Sequence, residues 1–170
     1  MSSRVGSGDA AEIRVRANSF LAGMVGGRKI DVLAAAQMSL PYAVAAWIVL
    51  GTAGLSAYAE SRRSDPALRV MLDRVFIDID DSVTASVEST VTFVLSDGTR
   101  IEEPTAIALG APENPISDAG LIAKFEELAE LVLDPIAVHR IIDATLALDE
   151  LRDLRDLLAL LSATPNRGSG

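Results

Sequence analysis

Polar and apolar positions follow two periods along the chain. From Glu12 to Ala17, Ile13, Val15 and Ala17 fall on one side and Glu12, Arg14 and Arg16 on the other. That two-residue period predicts a half-buried strand. Val75 to Asp80 alternates in the same way, with Val75, Ile77 and Ile79 set against Phe76, Asp78 and Asp80. Val87, Ser89, Val91, Phe93 and Leu95 alternate with Glu88, Thr90, Thr92, Val94 and Ser96. This strand runs into Asp97-Gly98, the pair favoured in a two-residue type I′ hairpin turn, and Thr99 to Glu103 is the predicted return strand.

Elsewhere the period is helical. Ser39 is a predicted cap for a helix that starts near Pro41 and ends near Gly51. A helical turn is predicted around Leu55 to Glu60, and Asp65-Pro66 opens a helix to about Leu72. In the last third, Ser117 caps a helix with the apolar stripe Leu121, Phe125, Leu128 and Val132. Asp134-Pro135 starts a second helix and Asp149 a third, whose leucines are Leu151, Leu154, Leu158 and Leu161. Gly23 to Gly27 and Gly110 to Pro115 read as loops. Strands and helices come in runs rather than in strict alternation, so the predicted class is α+β. The expectation is a small, mostly antiparallel sheet with an Asp-Gly hairpin, packed by helices and followed by a C-terminal helical run. Residues 1–10 and 163–170 are read as flexible ends of a single domain over 11–162.

Val32 to Ala59 carries no charge and is longer than the ~20 residues that a membrane helix needs. Gln37, Ser39, Pro41, Gly51, Thr52, Gly54 and Ser56 interrupt it, and much of the rest is alanine. Two packed helices broken at Gly51–Gly54 account for it, and no membrane partner is expected. Of the 170 residues, 49% are hydrophobic and 23% charged, enough for a packed core. Asp and Glu number 24 against 15 Lys and Arg, a net charge of −9. Such a surface repels phosphate backbones, so no nucleic-acid partner is expected. The absence of cysteine removes disulfides, thiolate metal sites and cysteine nucleophiles, and matches a reducing, cytoplasmic setting.

No catalytic set emerges from the residues themselves. His139 is the one histidine and has no Ser/Asp partner at a recognisable spacing. Lys124, a possible base, lies off the apolar stripe of its helix. Asp78, Asp80 and Asp81 have the chemistry of a hard-cation site, yet the glycine and final glutamate of an EF-hand are missing. The glycines at 23, 26 and 27 fit no phosphate-binding fingerprint. Neither a metal nor a cofactor is expected. The Leu151–Leu161 stripe is either a core face or a partner seam.

Three stretches together resemble one family. The first is Ala36-Gln37-Met38-Ser39-Leu40-Pro41-Tyr42-Ala43-Val44-Ala45 with Gly51. The second is Asp65-Pro66 leading into Arg74-Val75. The third is Ser96-Asp97-Gly98-Thr99, then Gly110-Ala111-Pro112-Glu113-Asn114-Pro115-Ile116-Ser117 and Lys124-Phe125. In order and spacing they resemble the C-terminal domain of the MmgE/PrpD family, which includes 2-methylcitrate dehydratase, cis-aconitate decarboxylase and iminodisuccinate epimerase. The resemblance runs from about Glu12 to Leu161. It implies an α+β lid over a helical domain that carries most of the catalytic side chains. It also implies metal-independent lyase chemistry on small tricarboxylates. His139 does not match the family's histidine position, so no catalytic residue is assigned here. The resemblance gives Gln37, Ser39, Tyr42, Gly110, Pro112, Asn114, Pro115 and Lys124 a role in forming or supporting the cleft. The implied partners are a helical catalytic domain or subunit, a tricarboxylate once that part is present, and a second copy in a homodimer. The chain alone is expected to be inactive. The alternative is a non-catalytic dimerisation or regulatory module of the same fold.

Overall fold

The computed structural model describes residues 10–84, 89–104 and 107–162. They fall into two compact units, Met1–Ile107 and Ala108–Gly170. Apart from Ala10, the ends read as flexible lie outside the described residues, as does the predicted start of a strand at Val87.

The first unit begins with β1 (Ala10–Ala17). There follow α1 (Ser19–Val25), α2 (Leu33–Gln37), α3 (Leu40–Leu50), a 3-10 turn (Leu55–Tyr58), α4 (Glu60–Arg63) and α5 (Pro66–Asp73). Three strands complete it: β2 (Val75–Ile79), β3 (Thr90–Leu95) and β4 (Arg100–Pro104). The polar caps place the helix starts. The Ser39 hydroxyl accepts from the Tyr42 N–H, and the Asp65 carboxylate accepts from the Ala67 N–H. Pro41 and Pro66 sit in the first turns, where a missing N–H costs no helical bond. Gly51 ends α3 at φ 72°, a left-handed conformation that suits glycine. The stretch predicted as a Gly23–Gly27 loop is mostly helical. The Asn18 side chain accepts from the Leu21 N–H and starts α1, which runs through Gly23.

The four strands are ordered β2-β1-β3-β4. β1 pairs antiparallel with β3, and β3 with β4, but β1 and β2 run parallel. The sheet is therefore mixed. The helices between β1 and β2 carry the chain back to the same end, the connection that a parallel pair requires. Ile13, Val15, Val75 and Val91 from one side of the sheet join Tyr42, Ala45 and Ala46 of α3 and Leu68, Met71 and Leu72 of α5 in one core. Tyr42 is fully buried, and its hydroxyl donates to the Ala57 carbonyl at 2.7 Å, tying α3 to the 3-10 turn. The small residues of the Val32–Ala59 run let α3 lie close to α5. Among the described residues, no helix is long and apolar enough to cross a membrane.

The β3–β4 connection departs from the two-residue turn. Gly98 N–H donates to Leu95 C=O, and Leu95 N–H donates to Thr99 C=O. Three residues, Ser96 to Gly98, thus form the loop, with Gly98 at φ 85°. The Asp97 carboxylate accepts from the Thr99 N–H at 2.8 Å, stabilising this wider geometry instead of the type I′ form.

The second unit holds α6 (Asp118–Ala129), α7 (Pro135–Leu146) and α8 (Arg155–Leu161). Ser117 and Asp134 cap α6 and α7 as their residue types predict. Asp149 does not cap the last helix, which starts six residues later, at Arg155, with Leu154 before it. The α6 stripe is not a buried face: Leu121, Leu128 and Val132 are exposed, and Ala129 is the buried residue. On α7, Val138 and Ile141 are buried.

Candidate functional site

The residues singled out from the sequence divide between the units. In the first unit, Ser39 is almost fully buried. Its hydroxyl donates to Gly27 C=O at 2.6 Å while accepting from Tyr42 N–H. Tyr42 is held by Ala57, and its ring lies 5.4 Å from that of Tyr58, tilted by 53°. Burial raises the pKa of both tyrosines. Gln37 is exposed at the end of α2. These contacts make Ser39 and Tyr42 supports of the α2–α3 junction.

In the second unit, Gly110 stands at φ 96° and its N–H donates to Asn114 C=O, with Ala111 and Asn114 bridged across a tight turn. Pro112 and Pro115 are exposed on this turn, and Lys124 is exposed on α6. His139 is exposed on α7. Its Nδ1 lies 2.7 Å from the Pro135 carbonyl, which places a proton on Nδ1, and its Nε2 is 4.0 Å from Glu126.

The acidic trio is engaged by the chain itself. Asp78 accepts from Arg14 at 2.8 Å, Asp80 from the Ser82 hydroxyl and N–H, and Asp81 from the Ser19 N–H. The Ser82 hydroxyl chiefly lowers the Asp80 pKa, and the Ser19 N–H that of Asp81. Among the described residues, no group of three or more acidic or histidine side chains is arranged to hold a metal ion.

One open cleft of about 410 Å3 lies at the β2 edge of the first unit. Four consecutive β2 residues line it, Phe76 to Ile79, with Arg14, Arg28, Ala22, Gly26 and Pro41. The Phe76 ring has two guanidinium groups near it: Arg14 at 5.4 Å and Arg28 at 5.9 Å from its centroid. Hydrogen bonds to Glu12 and then Asp78 hold the Arg14 pKa above its usual value. Arg28 reaches over the edge to the carbonyls of Leu72 and Val75. This cleft can offer cations and an aromatic face to a ligand, but both guanidiniums already have partners. Of its lining residues, the sequence singles out Asp78 in a candidate cation trio and Gly26 among the glycines, but it does not bring Arg14, Arg28 and Phe76 together as a site. Alternation places Arg14, Phe76 and Asp78 on polar sides of two strands, and only the parallel β1–β2 register makes them neighbours.

The family model for the MmgE/PrpD C-terminal domain matches residues 4–150. No curated protein matches the chain.

Proposed function

This chain belongs to the MmgE/PrpD family of dehydratase-type lyases, as a C-terminal domain, and on that premise we propose that it works as a lid. It would close over a helical catalytic domain or subunit of a metal-independent dehydratase or decarboxylase acting on small tricarboxylates of the 2-methylcitrate or cis-aconitate class. The observation that carries this reading is the family match, which runs through both compact units. In such a lid, the α2–α3 junction would contribute rigidity through Ser39 and Tyr42. Gln37, the Gly110–Pro115 turn with Asn114, and Lys124 would border the substrate. The net charge of −9 supports a division of labour in which the helical part supplies most of the positive field for the carboxylates.

The experiment compares turnover of 2-methylcitrate and cis-aconitate by the chain alone and by the chain combined with a helical domain of the family. The expected result is no turnover alone and turnover when combined. Turnover by the chain alone, abolished by His139→Ala, would overturn the reading. A second reading, a non-catalytic dimerisation or regulatory module, draws on the exposed leucines Leu158 and Leu161 of α8 and Leu154 just before it. It predicts association with a helical domain without any gain in turnover.

A further inference from the structure

Two guanidinium groups line the β2 cleft, and their charges are met differently. Arg14 is held by two carboxylates, those of Glu12 and Asp78. Arg28 instead donates to two neutral acceptors, the main-chain carbonyls of Leu72 and Val75. The carboxylate it pairs with, that of Asp73, stands 3.7 Å away on a side chain that is 83% exposed. An ion pair so open to water contributes little. Arg28 therefore keeps most of its positive charge for whatever enters the cleft. A guanidinium has five N–H groups, and the two carbonyls occupy only two of them. The same two bonds pin the side chain, so a ligand meets a cation with little freedom left to lose.

Around this cation the cleft is mostly apolar. Ala22, Pro41, Ile77, Ile79 and the Phe76 ring line its volume of about 410 Å3, a size that suits a small molecule. Phe76 is 39% and Ile79 63% exposed, so both can be covered further. Asp78 is the exception: it is half-exposed and keeps a negative charge in the lining.

We propose that this cleft binds a small apolar monocarboxylate. Its carboxylate lies on the remaining N–H groups of Arg28, and its aryl or short alkyl body lies against Phe76, Ile77 and Ile79. Arg28 calls for one anion and offers it charge-assisted hydrogen bonds from a planar fork. The apolar lining takes a body without polar groups, and an aromatic body gains from stacking on the Phe76 ring. Asp78, with Glu12 beyond the shared Arg14, repels a second carboxylate. Dicarboxylates and tricarboxylates are disfavoured for that reason. The proposal does not rest on the lid reading and leaves that reading intact if it fails.

The test titrates benzoate into the whole, isotopically labelled chain and follows its amide resonances. Binding should saturate with a Kd of about 1 mM, the range open to so small a ligand. The amides of Phe76, Ile77, Asp78 and Ile79 should move most. Benzamide, which has the same shape without the charge, should bind about tenfold more weakly. Tricarballylate, with three carboxylates, should also bind more weakly than benzoate. Arg28→Gln should weaken benzoate about tenfold. Ile79→Glu adds a negative charge to the lining at an exposed position, and should weaken benzoate about threefold with circular dichroism unchanged. The proposal is overturned by a lack of saturation, by shifts centred outside the cleft, by benzamide binding as well as benzoate, or by tricarballylate binding more tightly. Unchanged affinity in a folded Arg28→Gln chain overturns it too. If Arg28→Gln fails to fold, having lost its hold on two carbonyls, Ile79→Glu decides by the same criterion.

Discussion

Removing the Tyr42 hydroxyl separates a structural role from a substrate-facing one. Tyr42 is fully buried, and its hydroxyl donates to the carbonyl of Ala57, which is itself 1% exposed. Tyr42→Phe keeps the ring and its contact with Tyr58 but leaves that carbonyl without its partner and out of reach of water. A neutral hydrogen bond contributes only ~1 kcal/mol net, whereas an orphaned buried acceptor costs about 1–3 kcal/mol. The expected destabilisation is therefore about 2 kcal/mol. For a chain of this length that lowers the melting temperature by roughly 4–8 °C. Urea unfolding followed by circular dichroism measures it directly, as a lower midpoint with an unchanged slope. Tyr42→Ala adds a cavity where the ring was and should cost about 3–5 kcal/mol. A Tyr42→Phe chain as stable as the original would refute the reasoning. It would mean that the hydroxyl is free for other work, such as contact with substrate.

Ser39→Ala should cost about 1–2 kcal/mol, since it removes the cap of α3 and the bond to the carbonyl of Gly27, an exposed residue; thermal unfolding reads it. Gly98→Val should cost about 1–3 kcal/mol because valine is strained at φ 85°, and an unchanged melting temperature would contradict the turn geometry. The raised pKa values of Tyr42 and Tyr58 stabilise the fold below the unfolded tyrosine value of 10.0. That contribution is lost as pH rises through 10 and above, so Tyr42→Phe should unfold less steeply with alkali. The lowered pKa values of Asp80, Asp81 and Asp97 act in the opposite sense: their stabilisation is present above 3.8 and is lost as pH falls below it. Asp81→Asn should flatten the acid side of a stability–pH curve.

Local chemistry carried much of the fold. The pairs Ser39 with Pro41, Asp65 with Pro66 and Asp134 with Pro135 mark helix starts because a side-chain acceptor and a missing N–H suit those positions alone. Alternation located the strands for the same local reason. What it could not give is which strand lies beside which. The parallel β1–β2 pair depends on the five α-helices and the 3-10 turn between them, and from it come both the mixed sheet and the cleft that brings Arg14 to Phe76. Nor does a helical stripe tell what covers it, as the exposed Leu121 and Leu128 of α6 and Val132 beyond its end show. In α1, the cap from Asn18 outweighed the glycine that suggested a loop. Of the positions that the family resemblance selected, Ser39 and Tyr42 have structural duties that their motif does not announce.

The place of β1 has a consequence for synthesis. Of the four strands of this sheet it is the first in the chain, and it lies between β2 and β3. Its partners are completed only after Val75 and Thr90 have followed. Until then Ile13, Val15 and Ala17 form an apolar row without paired strands, and the pairings that complete the sheet around them are long in sequence. Such closure is entropically slow. Folding of the first unit is thus held back to its last strands, and a chain halted near Asp73 would carry its central strand with nothing to pair it.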